Sequence, residues 1–190
     1  MPDLVLGHAV PAAGFGPVFS LDGVTPRIAP DAFIAPTAAV IGDVTIGAET
    51  GIWFHCLVRG DLQFIHIGAR TNIQDGAIIH VDSGGFSTTI GDDVTVGHNA
   101  VIHACTLKNR AFVGISATVL DGAVIEEGGM LAAGGLLTPG KVIGPMELWA
   151  GTPARLLRVM APEERAKFDR NAEVYRELAR RFRAGLRSAT

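Results

Sequence analysis

The feature that most constrains this fold is an apolar residue that recurs at every sixth position between Ile34 and Trp149. The period continues through two insertions and one deletion, and none of its members is polar. Neither the 3.6-residue period of a helix nor the alternation of an ordinary strand produces this spacing. The series comprises Ile34, Val40, Ile46, Ile52, Val58, Ile67, Ile73, Ile79, Ile90, Val96, Ile102, Leu107, Val113, Val119, Ile125, Leu131, Leu137, Ile143 and Trp149.

A six-residue period predicts a parallel β-helix in which each unit contributes a short strand and a turn. Three units form one coil, so residues three units apart stack at the strand spacing of ~4.8 Å. The composition agrees, because 24 glycines suit tight corners and 6% aromatic residues suit a narrow aliphatic core. A flat sheet of short strands is the alternative, but it gives no reason for a spacing of six.

The sequence divides into three parts at the ends of this repeat. Residues 1–30 are expected to form an irregular lead-in that caps the first coil, and residues 31–150 form the hexapeptide-repeat domain. Residues 151–190 comprise a connector and an amphipathic helix, which begins at Pro162 with acidic residues in its first turn. Because the helix is basic and the preceding residues are acidic, we expect it to dock on its own prism rather than on a nucleic acid. Its apolar stripe comprises Phe168, Ala172, Tyr175, Ala179, Phe182 and Leu186.

Charge and composition argue against several classes of function. The net charge of −3 and the pI of about 6.0 disfavour binding to nucleic acids or anionic membranes. No apolar run approaches the ~20 residues that a membrane span needs, and the amino terminus lacks the basic flank of a signal peptide. Cys56 and Cys105 are too few for a disulfide scaffold, which predicts a reducing, cytoplasmic location.

The register of the repeat brings histidines together. Arg59, His80 and His103 each directly follow a core residue of the second face, so they are expected to form one surface column. His98 lies around one edge of the same coil as His103, and Asp75 belongs to its column one coil earlier. Imidazoles one coil apart can share a metal ion, whose bonds to nitrogen are ~2.0–2.1 Å long. The remaining histidines have no stacked partner and are expected to be solvated, namely His8, His55 and His66.

These positions lie in four stretches that together form a specific pattern. The stretches are Arg59-Gly60-Asp61, Thr71-Asn72-Ile73-Gln74-Asp75, His80 and Gly97-His98-Asn99-Ala100-Val101-Ile102-His103. The pattern resembles the γ-class carbonic anhydrase family, whose members are hexapeptide-repeat proteins. Over about residues 15–185, the resemblance implies an all-β, left-handed parallel β-helix with a C-terminal α-helix, assembled as a homotrimer. A match at residues 151–154 also occurs in hexapeptide acyltransferases and does not discriminate between the two.

The resemblance also implies a metal site between subunits, with His80 and His103 from one chain and His98 from its neighbour. It implies Zn²⁺, with Fe²⁺ or Co²⁺ as alternatives that three neutral nitrogen ligands do not distinguish. Such a site leaves one coordination position open, where the pKa of a bound water falls to about 7. The implied reaction is that of a carbonate dehydratase, a lyase, in which metal-bound hydroxide reversibly hydrates carbon dioxide to bicarbonate.

Four further residues enter the site through the resemblance. Gln74 would orient the hydroxide, and Arg59 and Asp61 would hold the hydrogen-bond network of the pocket. Asp75 would pair with Arg59 across the subunit interface. The alternative for the three charged residues is a salt-bridge cluster that joins the subunits of the trimer and has no catalytic role.

The sequence departs from the family where proton transfer is expected. Efficient members carry a glutamate just after the equivalent of Asp61, where this chain has Leu62. They carry another in an acidic loop after the first ligand, and here that loop has no glutamate, so Asp82 is the candidate replacement. Tyr175 matches the tyrosine of the family's helical tail, but a valine replaces the asparagine that often precedes it. Without a proton relay, regeneration of hydroxide is expected to limit turnover.

Four functions are compatible with this pattern. A zinc carbonic anhydrase is the leading hypothesis. A metal-dependent hydrolase of acyl thioesters is the second, because zinc-activated hydroxide also attacks thioesters. An acyl-CoA-dependent transferase with one histidine as general base is the third, although that chemistry needs no cluster of three histidines. A non-enzymatic assembly subunit that retains a relic site is the fourth.

Overall fold

The computed structural model describes residues 16–187, which form a parallel β-helix of about seven turns followed by one α-helix. The early strands are β1 (Val18–Phe19), β2 (Arg27–Ile28), β3 (Phe33–Ile34), β4 (Ala39–Ile46), β5 (Gly51–Ile52), β6 (Leu57–Ile67), β7 (Asn72–Ile73), β8 (Ile78–His80), β9 (Thr88–Ile90) and β10 (Thr95–Val96). The later elements are β11 (Val101–His103), β12 (Thr106–Leu107), β13 (Phe112–Val113), β14 (Thr118–Val119), β15 (Val124–Ile125), β16 (Met130–Leu131), β17 (Leu136–Leu137), β18 (Val142–Ile143), β19 (Glu147–Gly151), β20 (Ala154–Val159) and α1 (Pro162–Gly185).

The strands stack in the register that the six-residue period predicts. On the first face, Ile34 pairs with Ile52 and Ile52 with Ile73, each one coil further along the chain. This face is an eight-stranded sheet that runs from β3 to β20. The second and third faces belong to one twelve-stranded sheet, because the long strands β4 and β6 run around the edge between them. The predicted fold class is therefore confirmed.

The aliphatic ladder of the repeat is the core of the prism. Every predicted ladder residue from Ile34 to Ile143 is buried. Trp149 is half-buried on β19, which pairs in parallel with β16 and in antiparallel orientation with β20. Burial of each such side chain is worth about 1.5–3 kcal/mol. Because the coils repeat the same contacts, this stabilisation is distributed evenly along the prism.

Both ends of the repeat carry additional strands. Strands β1 and β2 lie within residues 1–30 and pair with β4, so ordered backbone precedes the first predicted coil. At the other end, β20 pairs with β19 within the segment between the prism and the helix. Among residues 16–187, no helix is long and apolar enough to cross a membrane.

Helix α1 packs against the first face through an aromatic cluster. Trp53 contacts Phe33, Tyr175 and Phe182 with ring centroids 5.2–5.3 Å apart, in edge-to-face arrangements. Tyr175 and Phe182 belong to the apolar stripe that the sequence predicts for this helix. The stripe therefore fixes where each helical residue lies along the prism.

Ion pairs along one corner of the prism reinforce this docking. Arg180 of the helix pairs with Glu49 of the prism, and Asp169 of the helix accepts a 2.8 Å hydrogen bond from Arg110. Near the end of the helix, Arg183 donates to the backbone carbonyl of Asp31 at 2.7 Å. The basic helix thus lies on its own acidic prism, as its charge predicts.

Candidate metal centre

The first candidate cluster lies on the second face, where two histidines stack on adjacent coils. His80 ends β8 and His103 ends β11, and the two residues are paired in the parallel register. Each follows a buried isoleucine directly, so its side chain points outward, because successive strand residues alternate between core and surface. His80 Nδ1 and His103 Nε2 face each other at 3.2 Å.

A carboxylate contacts the opposite nitrogen of each ring. His80 Nε2 lies 2.9 Å from Asp61 Oδ1, and His103 Nδ1 lies 2.5 Å from Asp121 Oδ1. An ionised carboxylate only accepts hydrogen bonds, so in a neutral ring the single proton sits on the nitrogen facing the aspartate. The two nitrogens that face each other are then both unprotonated, and their lone pairs need a shared proton or cation between them.

The distance between those two nitrogens suits a metal ion. Two nitrogen ligands of a tetrahedral ion with ~2.0–2.1 Å bonds lie about 3.3–3.4 Å apart, close to the 3.2 Å between His80 Nδ1 and His103 Nε2. Two neutral imidazoles that present lone pairs at this separation form two corners of a tetrahedral site. The donor set therefore fits a divalent transition metal.

Asp61 joins Arg59 to this cluster. Its carboxylate forms an ion pair with the Arg59 guanidinium and accepts from His80 through its other oxygen. Partial desolvation alone would raise the pKa of Asp61, but the hydrogen bond from His80 and the Arg59 charge outweigh it and lower that pKa. Asp61 is consequently ionised at neutral pH and acts as an acceptor for both neighbours.

The second candidate cluster surrounds His98, at the edge between the first and second faces. His98 Nδ1 lies 3.0 Å from Asp75 Oδ2, and Asp75 also accepts from the backbone N–H of Phe54 at 3.2 Å. The hydroxyl of Tyr175, on α1, lies 3.3 Å from His98 Nε2. Burial, and secondarily the charge of Asp75, raise the pKa of Tyr175, which keeps this hydroxyl protonated as a donor to His98.

Gln74 belongs to the second cluster and is held rigidly. Its side chain is buried, and its Nε2 donates a 3.0 Å hydrogen bond to Asn72 Oδ1. Asn72 in turn donates to Thr95 Oγ1 at 2.9 Å. Gln74 and His98 both line a cleft of ≈ 340 Å³ beneath α1, whose other walls include Phe112, Ile115, Met130 and Tyr175.

Within a single chain, these two clusters share no contacts between their histidines. The contacts of His80 and His103 are with Asp61 and Asp121, whereas those of His98 are with Asp75 and Tyr175. Within residues 16–187, no group of three or more histidine, cysteine, aspartate or glutamate side chains is arranged to hold a metal ion. The three predicted ligands thus lie in two separate clusters, His80 with His103 on the second face and His98 at its edge with the first, and we refer to these clusters as the half-sites of the predicted metal site.

Beside Asp61, an exposed leucine stands where efficient family members carry a glutamate. Leu62 is exposed and lines a cleft of ≈ 280 Å³ together with Asp61 and Phe64. Asp82, the candidate replacement for the missing acid, accepts a 2.7 Å hydrogen bond from the Gly84 N–H within its own turn.

Sequence reasoning assigned no role to Asp121 or Asn72. Asp121 follows the second-face core residue Val119 by two positions, so the histidine column continues one coil further to Leu120, and Asp121 lies beside that column rather than in it. Of the histidines expected to be solvated, His55 and His66 are exposed. His8 lies outside the described residues.

Comparison with known proteins identifies relatives along most of the chain, although no family model matches. A carbonic anhydrase of Geobacillus kaustophilus is 41% identical, and the alignment covers 88% of this chain and 91% of the relative. A probable carbonic anhydrase of Methanocaldococcus jannaschii is 46% identical, over 77% of this chain and 91% of the relative. Gamma carbonic anhydrase 2, mitochondrial, of Arabidopsis thaliana is 45% identical over 82% of this chain, which spans only 58% of that relative.

Solved structures agree on the fold over nearly the whole chain. A hexapeptide transferase family protein from Anaplasma phagocytophilum is 47% identical, with a TM-score of 0.83 over 87% of this chain and 97% of its own. A putative acetyltransferase from Bacillus cereus is 36% identical, with a TM-score of 0.87 over 89% of this chain and 98% of its own. The two names describe transferases, whereas the curated relatives are described as carbonic anhydrases.

Proposed function

The chain belongs to the gamma carbonic anhydrase family, and from that premise we propose that it reversibly hydrates carbon dioxide to bicarbonate. The observation that carries this proposal is the pair of histidines whose ring nitrogens face each other at 3.2 Å, each ring held from its other side by a carboxylate. Such a pair supplies two neutral ligands of a metal site and lacks the third.

We further propose that the third ligand comes from a second copy of the chain. His80 and His103 of one copy and His98 of another would hold the ion, in a homotrimer with a site at each interface. Zn²⁺ is the metal we propose, with Fe²⁺ or Co²⁺ as alternatives. When bound, the ion lowers the pKa of a coordinated water from 15.7 to about 7 and stabilises negative charge on oxygen.

The chain's own residues orient the reactants. Asp61 and Asp121 hold the rings of His80 and His103, and Arg59 forms an ion pair with Asp61. The Gln74 amide is anchored through its nitrogen to Asn72, which leaves its oxygen to accept a proton of the attacking water.

Across the interface, the Asp75 carboxylate would also face Arg59 of the neighbouring copy. In the single chain Asp75 accepts from His98 and from Phe54, and it retains acceptor capacity for a guanidinium. An ion pair between Asp75 and Arg59 would join the two half-sites and bring their histidines together.

The cleft beneath α1 that Gln74 and His98 line supports a second candidate, a metal-dependent hydrolase of acyl thioesters. Phe112, Ile115 and Met130 give the ≈ 340 Å³ cleft beside His98 an apolar wall. Such a wall suits an acyl or pantetheine arm, whereas carbon dioxide does not require it. Acyl-CoA turnover by the metal-loaded protein, lost on chelation, would support this candidate.

Stopped-flow hydration of carbon dioxide tests the main proposal. Zinc-loaded wild-type protein, kept reduced, should accelerate hydration and contain close to one metal ion per chain. His98→Ala and His103→Ala should lose both the metal and the activity yet melt near the wild-type temperature, whereas His66→Ala, which alters an exposed histidine on the third face, should retain both. Full activity of the metal-free wild-type protein would contradict the proposal.

We propose a reducing location, the cytoplasm, for this protein. Cys56 and Cys105 are both free and buried in the prism, where no oxidising environment is needed for stability. The Arabidopsis relatives are described as mitochondrial. The proposed partners are the small-molecule substrate and further copies of this chain, with no nucleic acid and no membrane.

A further inference from the structure

We propose that Asp121 is a positioning residue that sets the tautomer of His103 and so presents its Nε2 to the metal. This inference rests on the proposed metal site, because it explains how one of the ligands is prepared. Asp121 does not touch the metal or the substrate in this scheme. It acts only through the imidazole of His103.

The hydrogen bond between the two side chains defines the tautomer. Asp121 Oδ1 lies 2.5 Å from His103 Nδ1, and both side chains are about one third exposed. The carboxylate accepts, so the proton of the neutral ring resides on Nδ1. Nε2, on the other side of the ring, is then unprotonated and faces His80 at 3.2 Å.

The backbone around Asp121 is fixed by both neighbouring coils. Its carbonyl accepts from Gly140 on the following coil at 2.9 Å, and the N–H of Gly122 donates to Ala104 on the preceding coil at 2.8 Å. Gly122 has a φ of 65°, the left-handed conformation that lets the chain turn at this corner. These backbone hydrogen bonds hold Asp121 in place beside His103.

Asp121 also differs from the carboxylates at the other two histidines. Asp61 also forms an ion pair with Arg59, and Asp75 also accepts a hydrogen bond from the Phe54 N–H. In the described part of the chain, the side-chain hydrogen bond of Asp121 is with His103 alone. Its negative charge therefore acts on that ring, orienting it and raising the basicity of Nε2.

Metal binding and imidazole ¹⁵N spectra of the full-length protein test this role. Metal-free wild-type protein should show His103 with its proton on Nδ1, and Asp121→Ala should lose that signature. Titrated with Co²⁺, Asp121→Ala should bind about 10–100-fold more weakly than wild type. Asp121→Asn removes the charge, and its amide can donate as well as accept, so it should allow both tautomers of His103 and bind Co²⁺ more weakly than wild type.

Two controls separate this inference from the proposed function. Asp43→Ala removes a half-exposed aspartate that pairs with Arg27, and it should leave Co²⁺ affinity and the His103 spectrum unchanged. If wild-type protein binds no metal, the proposed function fails, whereas the spectra still report on the tautomer. Wild-type Co²⁺ affinity in Asp121→Ala, or an unchanged His103 spectrum, would overturn the role of Asp121. If Asp121→Ala does not fold, an unchanged His103 spectrum together with wild-type Co²⁺ affinity in Asp121→Asn would overturn it as well.

Discussion

At the scale of single residues, the candidate centre depends on which neighbour each of the two nitrogens of an imidazole faces. His103 directs Nδ1 to Asp121 and leaves Nε2 free to face His80. His98 directs Nδ1 to Asp75 and accepts from a tyrosine hydroxyl at Nε2. A neutral ring that donates one nitrogen's proton to a carboxylate has one tautomer, so the protein itself determines which nitrogen would be available to a metal ion.

Burial makes the two thiols unreactive in the folded protein. Desolvation raises the pKa of the Cys56 thiol from 9.0 to about 12, and it also raises that of Cys105. Near pH 8, a shift of this size lowers the thiolate fraction of Cys56 roughly a thousandfold. We expect iodoacetamide, followed by mass spectrometry, to label both cysteines in urea-unfolded protein and neither in native protein. Rapid labelling of the native protein would contradict the buried placement.

The same pKa shift has a sign that stability measurements can check. The folded state holds the Cys56 proton more tightly than the unfolded state. The contribution of this thiol to the free energy of unfolding is therefore fully present below pH 9.0 and is lost as the pH rises toward 12. The free energy of unfolding should therefore decrease over that range. Cys56→Ala should reduce this decrease.

At the scale of elements, a strand of this prism is too short to be stable by itself. Most strands have two or three residues, so each depends on its ladder residue and on pairing with the coils on both sides. Strand β15 illustrates this, because Ile125 is fully buried while its neighbour Val124 faces outward and is half-buried.

Truncation of these two neighbours should have very different effects. Ile125→Ala should lower the free energy of unfolding by about 2–5 kcal/mol, because a narrow prism cannot collapse into the cavity. Val124→Ala should cost about 1 kcal/mol or less, since its side chain keeps part of its contact with water. Urea denaturation at one fixed protein concentration measures both values. Equal losses for the two variants would contradict the assigned faces.

At the scale of the whole molecule, the proposed metal centre would be a property of the assembly, because one chain keeps the two half-sites apart. His80 and His103 lie on the second face, while His98 lies at another edge beside α1. Docking of prisms side by side would bring one half-site of each copy against the other half-site of its neighbour. Three such interfaces close a ring with identical contacts.

Mixed trimers provide a direct test of this arrangement. His98→Ala keeps the stacked pair, and His103→Ala keeps the third ligand, so neither variant alone has a complete site. When the two chains are co-expressed in equal amounts, random assembly should restore about a quarter of the interfaces. We expect metal content and carbon dioxide hydration near that fraction of wild type. Mixed trimers with no more metal than the single variants would contradict a site shared between copies.

Much of the architecture could be predicted because it repeats. The six-residue period identified the ladder, its three faces and the stacking of His80 on His103, since a residue's face depends only on its count along the repeat. The docked helix was also predictable, because its apolar stripe and its charges are local features. Asp121 was not predicted, because its role depends on the direction and length of a side chain that contacts the neighbouring coil. The register of the repeat alone does not give either.

The sequence by itself determined the winding of this chain, because an apolar residue every six positions can be buried only if the backbone turns into a prism. It also determined which polar residues lie on each face. Only the tertiary structure decided which ring nitrogen faces which neighbour, that Tyr175 meets His98, and that one chain holds two half-sites. Those outcomes depend on side-chain directions and on distances across a corner, and they are set by three-dimensional packing rather than by spacing along the chain.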